Sequence, residues 1–212
     1  MDIIDPALQR YAELHTTSET ELLRKINRDT HAHILKARML SGQLQGRVLS
    51  MISCMLKPRV ILEIGTYTGY SAICLAEGLQ EGGKLITIDV NEELEDRVRK
   101  YFSDAKLSDK IDYRIGLASK VIPQLEERFD LVFIDADKEN YSHYFDLVID
   151  RVNLNGIILA DNVLWSGKVL NEKPDKDTRA ILDFNAKVQR DGRVENVLLP
   201  IRDGIMMMRK IR

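Results

Sequence analysis

From Arg59 onward, short apolar runs alternate with stretches whose apolar residues recur at helical spacing. "RVILEIG" precedes the helical "YSAICLAEGL", and "GKLITIDV" precedes "EELEDRVRKYFSDA". "KIDYRIG" precedes "ASKVIPQLEE", and "FDLVFIDAD" precedes "YSHYFDLVIDRV"; a fifth run, "GIILADNVLW", closes the series. Strands that are apolar on both faces and separated by helices predict an α/β fold, a parallel sheet with right-handed crossovers. A polar stretch, "SGKVLNEKPDKDT", then leads to a helix predicted near Arg179 to Gln189. After that the rhythm breaks. "RVENVLLPI" and "GIMMMRKI" are separated only by "RDG", too little chain for a parallel crossover. They predict a hairpin, and so an antiparallel strand at the end of the sheet. The run Met206-Met207-Met208 reads as strand filler.

Two helices are predicted before the first strand. One runs from Ser18 to about Leu35, with Leu22, Leu23 and Ile26 at helical spacing and Ser18 and Glu21 spaced as a capping box. The other runs from Leu44 to Leu56 and is punctuated by Pro58. No internal repeat interrupts the 212 residues, so one domain is expected over 1–212, with a helical extension over about residues 1–57. The formal net charge of -2 argues against nucleic acid or an anionic membrane as a partner and favours a small molecule. The amino terminus lacks a basic stretch followed by an apolar core, and no apolar run is long enough to span a bilayer, so a cytoplasmic protein is expected. Cys54 and Cys74 lie in apolar, helix-like stretches and read as buried free thiols in a reducing compartment.

In an open parallel sheet, ligands bind beyond the carboxyl ends of the strands. "EIGTYTGYS" places Gly65 and Gly69 where backbone must approach something closely, a ligand or simply the next helix. Glu63, an acid at the end of a buried strand, is costly unless it is paired or meets a cation. Asp89 ends the second run about where an acid accepts from ribose hydroxyls, or else caps the following helix. After the third run, Gly116 and Ala118 leave room for a flat ring, and Ser119 reads as a helix cap. The fourth run ends in Asp135, Asp137 and Lys138, and the fifth in Asp161 and Asn162. If those strands are neighbours, Asp135, Asp161 and Asn162 converge as three hard oxygen ligands suited to Mg²⁺; otherwise they cap separate turns. His31 and His33, two apart on a helix, do not share a face and make no metal site.

At these residues the chain resembles the cation-dependent O-methyltransferases, the group of caffeoyl-CoA and catechol O-methyltransferases and their bacterial relatives. "EIGTYTGYS", "IDVNEE", "FIDADKENY", "ADNVLW" and "LPIRDGIMM" carry the resemblance, which extends from about Met39 to Arg212. It implies a Rossmann-like class I methyltransferase fold, a mostly parallel seven-stranded sheet with helices on both faces and a carboxyl-terminal antiparallel hairpin. S-adenosylmethionine is the implied cofactor and a divalent cation, Mg²⁺, its companion. Glu63, Gly65, Tyr67 and Ser71 would line the methionine end, and Met39 and Ser41 would close over it. Asp89 would bind the ribose, Ala118 would lie against adenine, and Asp137 would stand close to the cofactor. Asp135, Asp161 and Asn162 would hold the cation, Lys138 matches the proposed general base, and Trp165 would flank the acceptor. A vicinal-dihydroxy phenol is the implied acceptor and a homodimer the implied assembly, with the amino-terminal helices as its contact. Two alternatives are a nicotinamide-dependent oxidoreductase, for which a three-glycine phosphate turn is missing, and a non-catalytic S-adenosylmethionine-binding module.

Overall fold

The computed structural model describes residues 4–212; residues 1–3, where the amino-terminal reading begins, lie outside it. Three helices precede the sheet: α1 (Pro6–Leu14), α2 (Glu21–His33) and α3 (Gly42–Leu56). The sheet is built from β1 (Val60–Ile64), β2 (Lys84–Asp89), β3 (Ile111–Ile115), β4 (Phe129–Ile134), β5 (Val152–Asp161), β6 (Val194–Leu199) and β7 (Ile205–Lys210). Between them run α4 (Tyr70–Ala76), α5 (Glu95–Asp104), α6 (Ala118–Val121), α7 (Tyr141–Ile149) and α8 (Lys176–Arg190). The strand order is β3-β2-β1-β4-β5-β7-β6. The first five strands are parallel, and β7 lies antiparallel between β5 and β6. This is the expected α/β architecture, with the antiparallel strand as the inner member of the terminal hairpin.

Side chains alternate across each strand, so each face collects its own core. Leu62, Ile64, Ile86, Val132, Ile134 and Ile158 face α6, α7 and α8, where Tyr141, Phe145 and Phe184 are fully buried. Ile61, Leu85, Leu131, Phe133 and Leu159 face the other way, under α2 to α5, against Leu23, Ile26 and Leu49. Glu63 follows the parity of Ile61, Asp135 that of Phe133, and Asp161 that of Leu159. All three acids therefore lie on the α2–α5 side of the sheet.

Several local expectations are corrected. Thr20, not Ser18, caps α2, its hydroxyl accepting from the Leu23 backbone N–H at 3.3 Å. Helix α1, which the pattern did not announce, is started by Asp5 and a proline at its first position, and it buries no residue. Leu117 rather than Ser119 is the capping position of α6, and it makes no side-chain cap. Ser119 already lies inside that helix. Cys74 is buried, but Cys54 is exposed on the outer side of α3. Strand β5 begins at Val152, four residues before the apolar run that announced it.

The sheet's order reverses between β1 and β4, the position where doubly wound sheets open a crevice. The two strand ends meet there tightly. Gly65 has φ 104°, and a Cβ built on it would lie 1.9 Å from the Asp135 carbonyl oxygen. Gly65→Ala must strain the backbone and part the strand ends, and we expect a stability loss of about 3 kcal/mol or more. Urea denaturation measures it. A loss below about 1 kcal/mol would mean that this approach is not a fixed part of the fold.

Candidate active site

The cleft at this crevice is lined by Met39, Leu40, Ser41, Gly65, Thr66, Tyr67, Thr68, Tyr70, Ser71 and Asp135; Met39, Ser41, Gly65, Tyr67 and Ser71 are expected around the cofactor and Asp135 at the cation, and the other four were not singled out. The β1–α4 turn forms its floor. Tyr67 has φ 48° and Gly69 φ 76°, and the backbone amide of Tyr67 donates to Asp89 Oδ2 at 2.7 Å. Asp89 Oδ1 accepts from the Asn91 amide at 2.9 Å. The helical turn after β2 is capped by Asn91, so Asp89 is not the cap. Its carboxylate braces two turns and keeps lone pairs on both oxygens. The segment before α3 covers the cleft, and the Tyr67 hydroxyl donates to the Leu35 carbonyl at 3.2 Å.

Glu63 is fully buried behind this floor. Thr87 donates to its Oε2 at 2.5 Å, and Thr66 and Thr87 share a 2.6 Å hydrogen bond. Oε1 has no protein partner. Burial pushes the carboxyl up from 4.5 to about 8, while Ser71 and Thr87 partly counter it. A buried carboxylate with one orphaned oxygen suits a cationic ligand group, which fits the sulfonium and ammonium of S-adenosylmethionine.

At the ends of β4 and β5, Asp135 and Asp161 each follow directly on the paired residues Ile134 and Ala160. Asp161 is buried, with Oδ2 accepting from Gln45 Nε2 and Oδ1 from the Asn162 amide, both at 2.7 Å. Burial first, and Asp135 second, push its carboxyl up to about 6. Asn162 adopts φ 59°. Two mutually repelling carboxylates and an amide oxygen are hard donors, and together they fit a divalent cation. Among the described residues no three His, Cys, Asp or Glu side chains gather as a metal cluster.

Lys138 stands beside this set. Its Nζ donates to Asp135 Oδ1 at 3.2 Å and to the Tyr141 hydroxyl at 2.6 Å, and it lies 5.9 Å from the centre of the Trp165 ring. The Tyr141 hydroxyl donates in turn to the Asp161 carbonyl at 3.0 Å. Four residues expected at the cofactor, Glu63, Asp89, Ala118 and Asp137, are not part of the cleft lining. Ala118 is buried at the start of α6. Asp137 is exposed; it accepts from Tyr144 at 2.6 Å and from Asn140. Gln45, Tyr141, Arg202 and Asp203 were not singled out from the sequence. Nothing in their local pattern marks them, although "RDG" was visible as a turn.

A parallel sheet with a carboxyl-terminal hairpin, a glycine turn after β1 and acids at successive strand ends define a class I methyltransferase. An O-methyltransferase from Bacillus cereus, solved in complex with SAH, is 31% identical and superposes with a TM-score of 0.88, over 96% of this chain and 97% of that one. An SAH-bound methyltransferase from Podospora anserina is 28% identical, with a TM-score of 0.89 over 97% and 94%. A caffeoyl-CoA O-methyltransferase from Eucalyptus gunnii is 33% identical over 207 residues, 92% of this chain and 82% of that protein. Tricin synthase 2 from Oryza sativa subsp. japonica is 34% identical over 206 residues, 91% and 70%. The O-methyltransferase family model matches residues 13–211, and the chain belongs to that family. It is an S-adenosylmethionine-dependent O-methyltransferase, and the nicotinamide alternative falls. Among the described residues no helix is long and apolar enough to cross a membrane.

The raised carboxyl of Glu63 has a pH consequence. Its protonated form is favoured in the fold, so its contribution to stability is complete below pH 4.5 and is lost as pH rises through about 8. Each pKa unit is worth about 1.4 kcal/mol, so the whole window spans a few kcal/mol. Glu63→Gln should remove this dependence in the cofactor-free protein. Urea melts from pH 5 to 8.5 should then show the variant gaining on the wild type as pH rises. A difference that stays flat with pH would place the Glu63 carboxyl in an ordinary environment.

Proposed function

We propose that this enzyme methylates a hydroxyl of a small vicinal-dihydroxy aromatic, of the catechol or caffeoyl type, with a divalent cation held by Asp135, Asp161 and Asn162. One observation carries the reading: Lys138, Asp135 and the β5 end form one hydrogen-bonded group beside the cofactor cleft, joined through Tyr141. The names of the caffeoyl-CoA relatives support the acceptor class.

S-adenosylmethionine, when bound, supplies an electrophilic methyl group on a positively charged sulfur. A divalent cation held there, Mg²⁺ by the hardness of the donors Asp135, Asp161 and Asn162, would supply Lewis acidity for the acceptor hydroxyl. The remaining work belongs to the chain. Glu63 offers an unshared buried oxygen toward the cofactor's positive end. Asp89, fixed by two backbone amides, receives the ribose hydroxyls. Met39 and Ser41 close over the methionine end, Ala118 flanks the adenine, and Asp137 lies near the cofactor's edge. Lys138, placed by Asp135 and Tyr141, takes the acceptor's proton at Nζ once its ammonium has given up a proton to solvent, since only the neutral amine has a lone pair to accept it. Trp165 borders the acceptor; its buried indole Nε1 has no protein partner and is free to donate. Fixing the two reactants side by side in one cleft would supply much of the rate.

The test is methyl transfer from labelled S-adenosylmethionine to catechols, with Mg²⁺ and with a chelator. We expect transfer with Mg²⁺ and its loss on chelation. Asp135→Asn should lower Mg²⁺-dependent turnover by roughly 100-fold or more while SAH binding changes little. Turnover that survives both the chelator and the substitution would contradict the cation reading.

A further inference from the structure

The turn between β6 and β7 holds Arg202 at φ 51°, a left-handed backbone where a side chain is disfavoured and glycine is at ease. Its guanidinium makes a set of contacts that glycine would lack. Nη1 donates to the carbonyl of Leu40 at 3.0 Å, to the carbonyl of Ser41, and to Oε1 of Gln45 at 3.0 Å. Gln45 is fully buried, and its Nε2 donates to Asp161 Oδ2 at 2.7 Å. A guanidinium only donates and an ionised carboxylate only accepts, so Gln45 can satisfy both in one orientation of its amide. Leu40 and Ser41 belong to the segment over the cofactor cleft, and Asp161 ends β5. One side chain on the far hairpin thus touches the cofactor cover directly and the β5 carboxylate through a single intermediary.

We propose that Arg202 is a positioning residue that couples the seating of the Leu40–Ser41 cover over the cofactor to the orientation of Asp161 toward the cation, acting through Gln45. The inference rests on the cation reading above. With the cover seated, Arg202 holds the Gln45 oxygen and turns the amide nitrogen to Asp161. When the cover lifts, the Gln45 amide loses that constraint and Asp161 Oδ2 loses its fixed partner. Cofactor binding, which seats the cover, therefore strengthens cation binding, and the reverse holds to the same factor.

Calorimetric titration of Mg²⁺, with and without saturating SAH, tests this without turnover. In the wild type SAH should tighten Mg²⁺ binding by roughly tenfold. Arg202→Gly keeps a residue suited to the backbone and should fold, but SAH should then change Mg²⁺ affinity by less than about twofold. Gln45→Met should lose the same coupling, and the double variant should lose no more than either single one. Arg202→Lys, which can reach part of the acceptor set, should restore part of the coupling. Full coupling in Arg202→Gly would overturn the proposal, and so would a wild type in which SAH leaves Mg²⁺ affinity unchanged. A wild type that binds no Mg²⁺ under either condition would overturn the cation reading itself and this inference with it.

Discussion

Acidic side chains withdrawn from water at the carboxyl ends of parallel strands are the constraint on which the rest of this structure depends. Glu63 is fully buried, Asp161 is 3% exposed, and Asp135 faces both Lys138 and Asp161. Unpaired buried carboxylates cost several kcal/mol, and the fold offsets only part of that. Thr87 satisfies one oxygen of Glu63, and Gln45 and the Asn162 amide satisfy Asp161. The carboxyls remain displaced upward, to about 8 and about 6. A sulfonium cofactor and a divalent cation are the ligands that would relieve them.

Topology puts these acids together. Strand order reverses between β1 and β4, and β5 lies on the far side of β4, so the ends of three adjacent strands open into one crevice. Period-two alternation sends all three acids to the face under α3 and α4. That is why Gln45 of α3 meets Asp161 and why Ser71 of α4 lies near Glu63. Gly65 lets the ends of β1 and β4 close to a distance that any side chain would prevent. The hairpin then braces the crevice from beyond β5, with Arg202 reaching the cofactor cover and Asp203 accepting from the Ser166 amide at 2.5 Å.

Much of this was legible in the sequence because the signals are local. Apolar runs such as "FDLVFID" can hardly be anything but buried strands, and the two-strand ending with only "RDG" between forces a hairpin. The acids at strand ends stand out against their apolar neighbours. Capping was less legible, because Ser18 and Thr20 are both good caps by residue type, and the structure uses Thr20. Helix α1 carries apolar residues at helical spacing, but Leu8, Tyr11 and Leu14 stay exposed and it buries no residue. The exposure of Cys54 depends on which side of α3 meets the sheet, which composition does not encode. Gln45 and Arg202 act across 116 and 157 residues of chain, through single hydrogen bonds, and no window of sequence contains such a pair.

The account stands or falls on where the cation sits. Crystals grown with SAH and a catechol and soaked in Mn²⁺, a hard cation with its own anomalous signal, would locate it directly. The account predicts one strong peak bound by oxygens of Asp135, Asp161 and Asn162, at distances of about 2.0–2.4 Å typical of hard divalent cations. A peak bound elsewhere, or none at those three residues with SAH and catechol both in place, would contradict it.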